Sequence, residues 1–387
     1  MVTAASGEIA VSAMDDWLSG LIERHGRLFT GIGNLESRMM AAAMAERPID
    51  RPIYIAGLAR AGSTILLELL ATHPDVASHR YRDFPLLLAP LSWNWFLDRA
   101  SRGDDTPIER AHKDRIQVTR DSPEAMEEML WMRFFPACHD PRLSAVLDAA
   151  VDRPDFEAFY RQHIQKILLL RQRPRYLAKG NYNLTRLGYL RRLFPDARFI
   201  VPIRHPVGHI ASLMKQDRLF QRLESEDRRV LNYMRRAGHF EFGLDRRPIN
   251  IGDGKIVDEV QRLWQGGEEV RGWSLYWASL YGHLADRLEA DPQLREATTV
   301  VHYTDLCATP LTMLRRLYDH CRLEVDEAWT RSQAAQLSQP DYYRPPFSDA
   351  ERAIIDAETA PVHARIRQMY RASTDRDALS GPAAAHS

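Results

Sequence analysis

The sequence predicts an α/β fold in which a parallel sheet, with a phosphate-binding loop (P-loop) after one strand, is flanked by helices and carries helical insertions. Apolar runs at 53–56, 199–203 and 298–303 have the length and composition of buried strands, and a weaker run lies at 176–178. A segment with helical periodicity follows each run. This alternation is typical of βαβ units, whose strands pair in parallel and whose helices cover both faces of the sheet.

Helix signals between the strands appear in the expected order. The helix after 53–56 spans 63–72 and ends before Pro74. Pro206 suits the first turn of the helix that follows the strand at 199–203. Pro202 is unusual inside a central strand, because proline has no N–H to donate to the hydrogen-bond ladder.

The chain is long enough to bury a large core, and we expect a single domain over 1–371. Within it, apolar residues at helical spacing predict that 1–48 is a helical N-terminal segment. The polar, glycine-interrupted segment 217–268 is a candidate lid over a binding site. The last residues, 372–387, have the composition of a flexible tail.

Composition excludes several classes of protein. The 387 residues include 52 Lys or Arg and 52 Asp or Glu, so the formal net charge is zero, which argues against a nucleic-acid partner. No run approaches the ~18 apolar residues that a membrane span needs, and no signal-peptide pattern begins the chain. The three cysteines are widely spaced and favour a reducing compartment. We therefore expect a cytoplasmic protein; its oligomeric state stays open.

The clearest chemical signal is a glycine-rich loop between the first strand and its helix. Gly57 and Gly62 have the GxxxxG spacing of a phosphate loop, in which backbone amides and a helix N-terminus converge on an anion. Ser63 stands where nucleotide triphosphatases have lysine, and the cation lies inside the loop at Arg60. The residues expected to bind the anion are Gly57, Arg60, Ala61, Gly62, Ser63 and Thr64.

A second anion motif follows the strand at 199–203. Arg204 stands at the end of this strand, and Ser212 lies one to two turns into the next helix. Ligands of open α/β sheets bind at the carboxyl edge of the strands, so both motifs are expected at one edge. Two anion sites on one sheet suit a ligand with two separated anionic ends.

Four motifs in this order resemble those of the sulfotransferases that use 3′-phosphoadenosine 5′-phosphosulfate (PAPS). Residues 59–64 resemble the 5′-phosphosulfate loop, and Arg204 with Ser212 resembles the 3′-phosphate motif. The spacing from Lys179 to Arg204 is similar to the tyrosylprotein-sulfotransferase branch, and 302–306 resembles that branch's Tyr-Glu-x-Leu signature. The resemblance covers roughly 50–85, 175–215 and 298–320.

The resemblance implies the sulfotransferase fold and transfer of a sulfuryl group from PAPS to a hydroxyl or amine acceptor, by in-line displacement. Tyr303 would help to hold the adenosine end of PAPS. Charge grows on the reacting oxygens during this transfer, and Arg60 and Lys179 are the cations expected to stabilise it. The reaction needs no metal, and we expect none.

The general base of the family does not carry over to this chain. The tyrosylprotein branch has a Glu pair after the loop helix, whereas 79–83 contains no Glu, and the catalytic His of the cytosolic branch is replaced by Asn181. His79 is the first candidate because imidazole titrates near neutral pH. Asp83 is the second and His139 the third. The structural alternatives are a surface loop position for His79, an ion pair with Arg82 for Asp83 and a helix cap for His139.

The sequence leaves the acceptor open: a small molecule, a glycan or a peptide would each fit. The segment 217–268 is the candidate lid that would select it. Two alternatives to a sulfotransferase remain. One is a P-loop kinase or NTPase, against which Ser63 argues, and the other is a catalytically silent nucleotide-binding protein of the same fold.

Overall fold

A five-stranded parallel sheet forms the centre of the chain in its computed structural model. The structure describes residues 2–3, 10–100, 108–109, 117–337 and 345–379. Most of the remaining secondary structure in these ranges is helical and packs on the two faces of the sheet.

The strands of the described residues are β1 (Val2–Thr3), β2 (Ala10–Val11), β3 (Ile53–Ala56), β4 (Val76–Ala77), β5 (Ile108–Glu109), β6 (Gln117–Val118), β7 (Arg175–Gly180), β8 (Arg198–Ile203) and β9 (Thr298–His302). The α-helices are α1 (Ala13–Arg24), α2 (Gly26–Met39), α3 (Ala41–Ala45), α4 (Ser63–Ala71), α5 (Pro90–Ala100), α6 (Glu128–Phe134), α7 (Pro154–Arg171), α8 (Leu187–Leu193), α9 (Pro206–Glu226), α10 (Arg228–Ala237), α11 (Gly254–Gln265), α12 (Glu269–Ala290), α13 (Pro292–Glu296), α14 (Tyr303–Ala308), α15 (Pro310–Cys321), α16 (Glu327–Ala334) and α17 (Asp349–Leu379). Short 3₁₀ helices cover Tyr81–Asp83 and Asn181–Thr185.

The order of strands in the sheet is β4-β7-β3-β8-β9, and every pair is parallel. β3 is therefore the central strand. Ile55 of β3 lies opposite Lys179 of β7 on one side and opposite Ile200 of β8 on the other. The carboxyl ends of β7, β3 and β8 consequently lie side by side at one edge, where ligands of such sheets bind.

Successive side chains of β3 point to opposite faces of the sheet, and the apolar core is divided into two layers accordingly. Tyr54 and Ala56 belong to the larger apolar cluster, whereas Ile53 and Ile55 pack with leucines of α4 and α15 in the smaller one. All four residues of β3 are buried. A strand covered on both faces is apolar throughout, which is why this segment appears in the sequence as a continuous apolar run.

Pro202 marks the point at which β3 leaves the sheet. The register between β3 and β8 extends to Ile55 and Ile200, whereas the pairing of β8 with β9 continues to Ile203. Pro202 can donate no ladder hydrogen bond, and the chain after β3 turns away beside it. A Cβ atom at Gly57 would lie 3.0 Å from Cγ of Pro202, so this glycine permits the close approach of the loop to β8.

The predicted fold class is confirmed by the parallel sheet and its flanking helices. The four apolar runs form β3, β7, β8 and β9. The sequence does not predict β4, because two residues are too few to show a strand period.

The predicted segments outside the sheet are largely helical in their described parts. The N-terminal segment contains α1, α2 and α3, and residues 4–9 lie outside the described residues. α9 enters the segment 217–268, which continues with α10 and α11. α17 extends into the predicted tail 372–387 as far as Leu379, and 380–387 lies outside the described residues. Of the helices described, none is both long and apolar enough to cross a membrane.

Candidate functional site

The loop between β3 and α4 has the backbone of an anion-binding turn. Gly62, the N-cap of α4, has a φ of +105° and offers no side chain to the first amides of the helix. Such amides lack intrahelical partners and attract anions. A Cβ atom at Gly62 would lie 2.7 Å from Cδ2 of Tyr303, so only glycine fits. Arg60 is also left-handed, with a φ of +70°, which costs a non-glycine residue about 1–3 kcal/mol and is found most often at functional sites.

The side chain of Arg60 contacts the second anion motif. Its Nε donates a hydrogen bond of 3.3 Å to Oγ of Ser212 on α9, which lies 152 positions further along the chain. Guanidinium groups bind anionic oxygens in pairs. This contact therefore places a permanent cation where the two motifs meet.

Tyr303 lies between the loop and Arg204. Its ring packs against Gly62, and Cζ of Arg204 lies 5.7 Å from the centre of the same ring, within the range of a cation–π contact. Tyr303 begins α14 directly after β9, so the ring comes from the strand next to β8. The loop, Arg204 and this aromatic face form one continuous surface at the edge of the sheet.

A buried histidine holds the loop from behind. Nε1 of Trp277 on α12 donates a 3.0 Å hydrogen bond to Nδ1 of His209, so the proton of His209 lies on Nε2. Nε2 in turn donates to the carbonyl oxygen of Ala59 at 2.9 Å. Burial, with the nearby positive charges of Arg204 and Arg60, lowers the pKa of His209 to about 3, so it stays neutral. The carbonyl of the loop is thereby fixed by a side chain of α9.

Beside the loop, the end of β7 carries a second polar cluster. Lys179 lies opposite Ile55 and is only 8% exposed. Asn181, two residues later, donates from Nδ2 to Oε1 of Glu241 at 2.6 Å. Oε2 of Glu241 lies 3.5 Å from Nδ1 of His239. The end of β7 is thus connected by polar contacts to the turn that follows α10.

Opposite charges stabilise each other in this cluster. Burial opposes ionisation of Glu241, but the hydrogen bonds from His239 and Asn181 and the charge of His239 together hold the pKa of the carboxyl below its usual value. Burial likewise disfavours the imidazolium of His239, yet the hydrogen bond to Glu241 and its charge raise the pKa of His239 above 6.5. The pair is therefore a buried carboxylate facing an imidazole whose pKa is raised above its usual value.

Residues 52–246, just over half of the chain, match the family model described as the sulfotransferase family. This chain belongs to the sulfotransferase family. The matches support the family and do not support the tyrosylprotein branch that the motif spacing resembles. No curated protein matches the chain.

Among the solved structures similar to this chain, one bacterial sulfotransferase has a comparable fold. The sulfotransferase STF9 from Mycobacterium avium superposes with a TM-score of 0.50 at 18% identity, covering 84% of this chain and 80% of that one. The sulfotransferase STF1 from Mycobacterium tuberculosis H37Rv is 17% identical with a TM-score of 0.45, covering 84% and 81%. A sulfotransferase from Alicyclobacillus acidocaldarius is 14% identical with a TM-score of 0.37, covering 84% and 97%. At such low sequence identity a similarity shows only a shared fold. Of the three structures, only STF9 has a TM-score high enough to show it.

This sulfotransferase brings the residues of its two anion motifs, with Tyr303, to one edge of the sheet. Contacts between side chains or backbone link the loop to Ser212, to Tyr303 and, through Tyr303, to Arg204. The predicted residues at this edge are Gly57, Arg60, Ala61, Gly62, Ser63, Thr64, Arg204, Ser212 and Tyr303. Lys179 stands at the same edge on the neighbouring strand.

The first candidate base, His79, lies in the interior rather than at this edge. It is 1% exposed, and its Nε2 lies 2.8 Å from Nε2 of His163, which is itself buried. Tyr176 contacts its other ring nitrogen at 3.5 Å. Burial lowers the pKa of His79 to about 4. The imidazole is thus a neutral core residue that faces other side chains, and an acceptor from solvent does not reach it.

The second candidate, Asp83, is fully buried and saturated with hydrogen bonds. Nη2 of Arg171 lies 2.7 and 2.6 Å from its two oxygens, and the amide of Arg80 and Nδ2 of Asn94 also donate to it. Burial raises the pKa of this carboxyl, but the charge and hydrogen bonds of Arg171, the neighbouring His79 and the amide of Arg80 together outweigh burial and lower the pKa. Asp83 therefore anchors the segment after β4 to α7.

The third candidate, His139, lies beside a different ion pair. Its Nε2 is 2.8 Å from Oε1 of Glu128, and both oxygens of Glu128 accept from Arg186, at 2.8 and 2.7 Å. Glu128, Cys138 and His139 have the ligand types of a metal site, but the carboxylate is already neutralised by Arg186. His139 also lines a cleft of about 520 Å³ together with Phe240.

No pattern in the sequence predicts the residues that support the site from behind and beside it. His209 stands inside the second motif, but no spacing rule distinguishes it from Ser212. The pair of Trp277 and His209 is visible only once α9 and α12 pack together. His239 and Glu241 lie in an irregular turn, where no periodicity indicates which way a side chain points.

The buried neutral state of His209 predicts a pH effect on stability. The folded imidazole resists protonation down to about pH 3, whereas the unfolded one titrates near 6.5, so stability is lost as the pH falls through this interval. Between pH 7 and pH 5 the wild type should lose about 2 kcal/mol more than His209→Gln, which cannot titrate. Urea unfolding at both pH values measures the difference. His25→Gln, at an exposed position, should behave as the wild type; a parallel loss in His209→Gln would contradict the assignment.

Proposed function

We propose that this sulfotransferase transfers a sulfuryl group from PAPS to a hydroxyl or amine acceptor. The observation that carries the proposal is the hydrogen bond between Arg60 and Ser212, because it joins two anion motifs that follow different strands. Membership of the family supports sulfuryl transfer. A donor with a phosphosulfate at one end and a phosphate at the other suits two such motifs on β3 and β8.

The loop after β3 would hold the 5′-phosphosulfate. The first amides of α4 face this loop without a side-chain cap from Gly62, and the helix adds its partial positive charge. Gly62 cannot be replaced without a clash with Tyr303, which keeps the amides accessible to the ligand. These features fit an anionic group in close contact with the backbone.

The 3′-phosphate would bind at Arg204, two residues before α9, and at Ser212 in the second turn of α9. The ring of Tyr303 packs between Gly62 and Arg204 and offers a flat surface to the adenosine end of the donor. An arginine and a hydroxyl are the groups that commonly bind phosphate oxygens. Both ends of PAPS then lie along the same edge of the sheet.

The chemistry is an in-line displacement at sulfur. The acceptor oxygen forms a bond to sulfur while the bond between sulfur and the bridging oxygen breaks, and the electron pair leaves on the 5′-phosphate of adenosine 3′,5′-bisphosphate. Arg60 and Lys179 are proposed to stabilise the charge that grows on these oxygens. The proposal includes no metal. Neither His79 nor Asp83 is included as the base, because both are buried with their polar atoms bonded.

Two other functions fit the site less well. A P-loop kinase or NTPase would use a lysine at the position of Ser63, and this chain has its cation at Arg60 instead. A catalytically silent protein of the same fold would bind the nucleotide without turnover. We also propose that 1–371 forms one domain in which 217–268 covers the acceptor, because α9, α10 and α11 connect the donor edge to the turn that contains His239.

The two-motif donor site predicts a preference among nucleotides. Adenosine 3′,5′-bisphosphate should bind about 10–100-fold more tightly than 5′-AMP, since a charge-assisted contact to the second phosphate contributes about 1.5–3 kcal/mol. The binding should need no divalent metal. Isothermal titration calorimetry with EDTA present measures both points. Equal affinities, or an absolute magnesium requirement, would show that the ligand has no second anion site here.

Arg204 should contribute mainly to nucleotide affinity, whereas Arg60 and Lys179 should contribute mainly to turnover. Arg204→Ala should weaken binding of adenosine 3′,5′-bisphosphate about 10–100-fold, because it removes a ground-state contact. Arg60→Ala and Lys179→Ala should depress turnover of PAPS more than nucleotide affinity, because their charges act on the transition state. Calorimetry and PAPS consumption separate the two effects.

Arg331→Ala is the matched control, since Arg331 is exposed and its ion pair within the described part of the chain is with Glu327 on the same helix. It should leave affinity and turnover unchanged. Normal nucleotide affinity in Arg204→Ala would remove Arg204 from the donor site, and an equal loss of affinity and turnover in Arg60→Ala would assign it to binding alone.

A further inference from the structure

The turn after α10 fixes an imidazole beside the end of β7. Gly238 ends the helix with a φ of +79°, and the amide of His239 donates to the carbonyl of Met234 at 2.9 Å. A Cβ atom at Gly238 would lie 2.5 Å from Cγ of Glu128, so the turn packs closely against α6. The backbone of His239 is therefore fixed by the C-terminal turn of α10 and its contact with α6.

Glu241 holds the ring of His239 in one orientation. Oε2 of Glu241 faces Nδ1 of His239 at 3.5 Å, while Oε1 accepts from Asn181 at 2.6 Å. The side chain of His239 is 26% exposed and that of Glu241 only 6%. Among the described residues, no hydrogen bond reaches Nε2 of His239. A buried carboxylate thus stands behind a ring whose other nitrogen is not engaged, which is the arrangement of an oriented general base.

The same cluster contains an unsatisfied polar atom. Oδ1 of Asn181 is buried and has no hydrogen-bond partner in the described part of the chain. Buried acceptors in native proteins are nearly always paired, and exceptions are frequent where a ligand completes the bonding. Asn181 lies two residues beyond Lys179, directly after the carboxyl end of β7, which is the edge of the proposed site.

The charged groups facing His239 come from three elements. Glu241 lies on its own turn, Glu124 precedes α6, and Lys179 ends β7. Burial and Lys179 disfavour the imidazolium, and the hydrogen bond to Glu241 with the charges of Glu241 and Glu124 outweighs them, so the pKa of His239 is raised above 6.5. The neutral form of such an imidazole, which can accept a proton, becomes more populated as the pH rises.

We propose that His239 is the general base that deprotonates the acceptor, with Glu241 and Asn181 as positioning residues. This inference rests on the proposed function and names the group that completes it. Nε2 takes the proton of the acceptor hydroxyl as the acceptor oxygen bonds to sulfur, and the electron pair of the breaking S–O bond leaves on adenosine 3′,5′-bisphosphate. The imidazolium that forms is balanced by Glu241 and returns its proton to solvent.

The cleft next to this turn indicates where the acceptor enters. Phe240, the residue after His239, lines the cleft of about 520 Å³ together with His139 and Arg247. The ring of Phe240 packs on His139 at 4.7 Å between centroids. Arg142 and Arg247 of this cleft pair with Asp140 and Asp245, so its charges are balanced, and its aromatic wall suits an aromatic or apolar alcohol. The assays therefore use 4-methylphenol and 1-hexanol as probe acceptors. The reference is PAPS consumption without an added acceptor, where water alone can accept the sulfuryl group.

The test compares His239→Gln with the wild type over pH 5 to 9. Turnover of PAPS by the wild type should rise with pH through an apparent pKa above 6.5, because the neutral imidazole is the active form. His239→Gln should lose about 10²–10⁴-fold in turnover and should lack this acidic limb. Its affinity for adenosine 3′,5′-bisphosphate should stay within about twofold of the wild type. His283→Gln, on α12 and outside this cluster, is the matched control and should keep the wild-type profile.

Glu241→Gln tests the positioning role through a shift of pKa that misfolding would not produce. Without the carboxylate the pKa of His239 should fall, so the acidic limb should move to lower pH while turnover at its plateau decreases. NMR titration of the imidazole resonances, assigned by their loss in His239→Gln, follows the same pKa without any acceptor. A pKa of His239 at or below 6.5 in the wild type, or one unchanged in Glu241→Gln, would overturn the pairing.

Failure of this inference differs from failure of the proposed function. If His239→Gln turns over PAPS at the wild-type rate and keeps the acidic limb, the base lies elsewhere although sulfuryl transfer stands. A limb well below pH 6 that disappears in Glu124→Gln would assign the role to that carboxylate instead. If the wild type neither binds adenosine 3′,5′-bisphosphate nor consumes PAPS, the proposed function is wrong. The assignment of His239 as the base is then wrong as well.

Discussion

The position of β3 at the centre of the sheet is the constraint on which the candidate site depends. β3 pairs in parallel with β7 on one side and with β8 on the other, so three chain segments that are distant in sequence end at one edge. The loop with Arg60, the side chain of Lys179 and the motif that begins with Arg204 all follow from this register. A slip of one residue would turn Lys179 to the opposite face, because strand side chains alternate. The ladder between β3 and β8 ends before Pro202, which leaves the space that Gly57 and the loop occupy.

The loop itself is held in an unfavourable conformation by its surroundings. Arg60 and Gly62 both have positive φ, and the carbonyl of Ala59 is fixed by His209, which is in turn fixed by Trp277. Preorganised donors and cations lose little by reorganisation when charge develops, which is the main electrostatic source of catalysis. The same principle explains the second cluster, where Glu241 orients His239 before any acceptor arrives. Both parts of the site therefore depend on buried polar contacts from helices outside the sheet.

Local patterns in the sequence are sufficient to predict the strands of the sheet and the positions of the two anion motifs. Continuous apolar runs predict β3, β7, β8 and β9, and the GxxxxG spacing predicts the loop with Arg60, since these signals depend on neighbours in the chain. Position after the loop helix predicts a base at His79 or Asp83, whereas the structure buries both side chains in the interior. Burial of a polar side chain depends on distant partners such as His163 and Arg171, which no local pattern reveals. For the same reason His239 is found only when the turn after α10 is placed beside β7.

The central claim is that two anion motifs on one edge of the sheet bind the two ends of a single donor. A crystal structure with adenosine 3′,5′-bisphosphate tests it most directly. We expect the 5′-phosphate at the amides that begin α4, the 3′-phosphate within hydrogen-bond distance of Arg204 and Ser212, and the adenosine end beside Tyr303. A nucleotide bound with only one phosphate at this edge, or bound elsewhere with Arg60 still donating to Ser212, would contradict it.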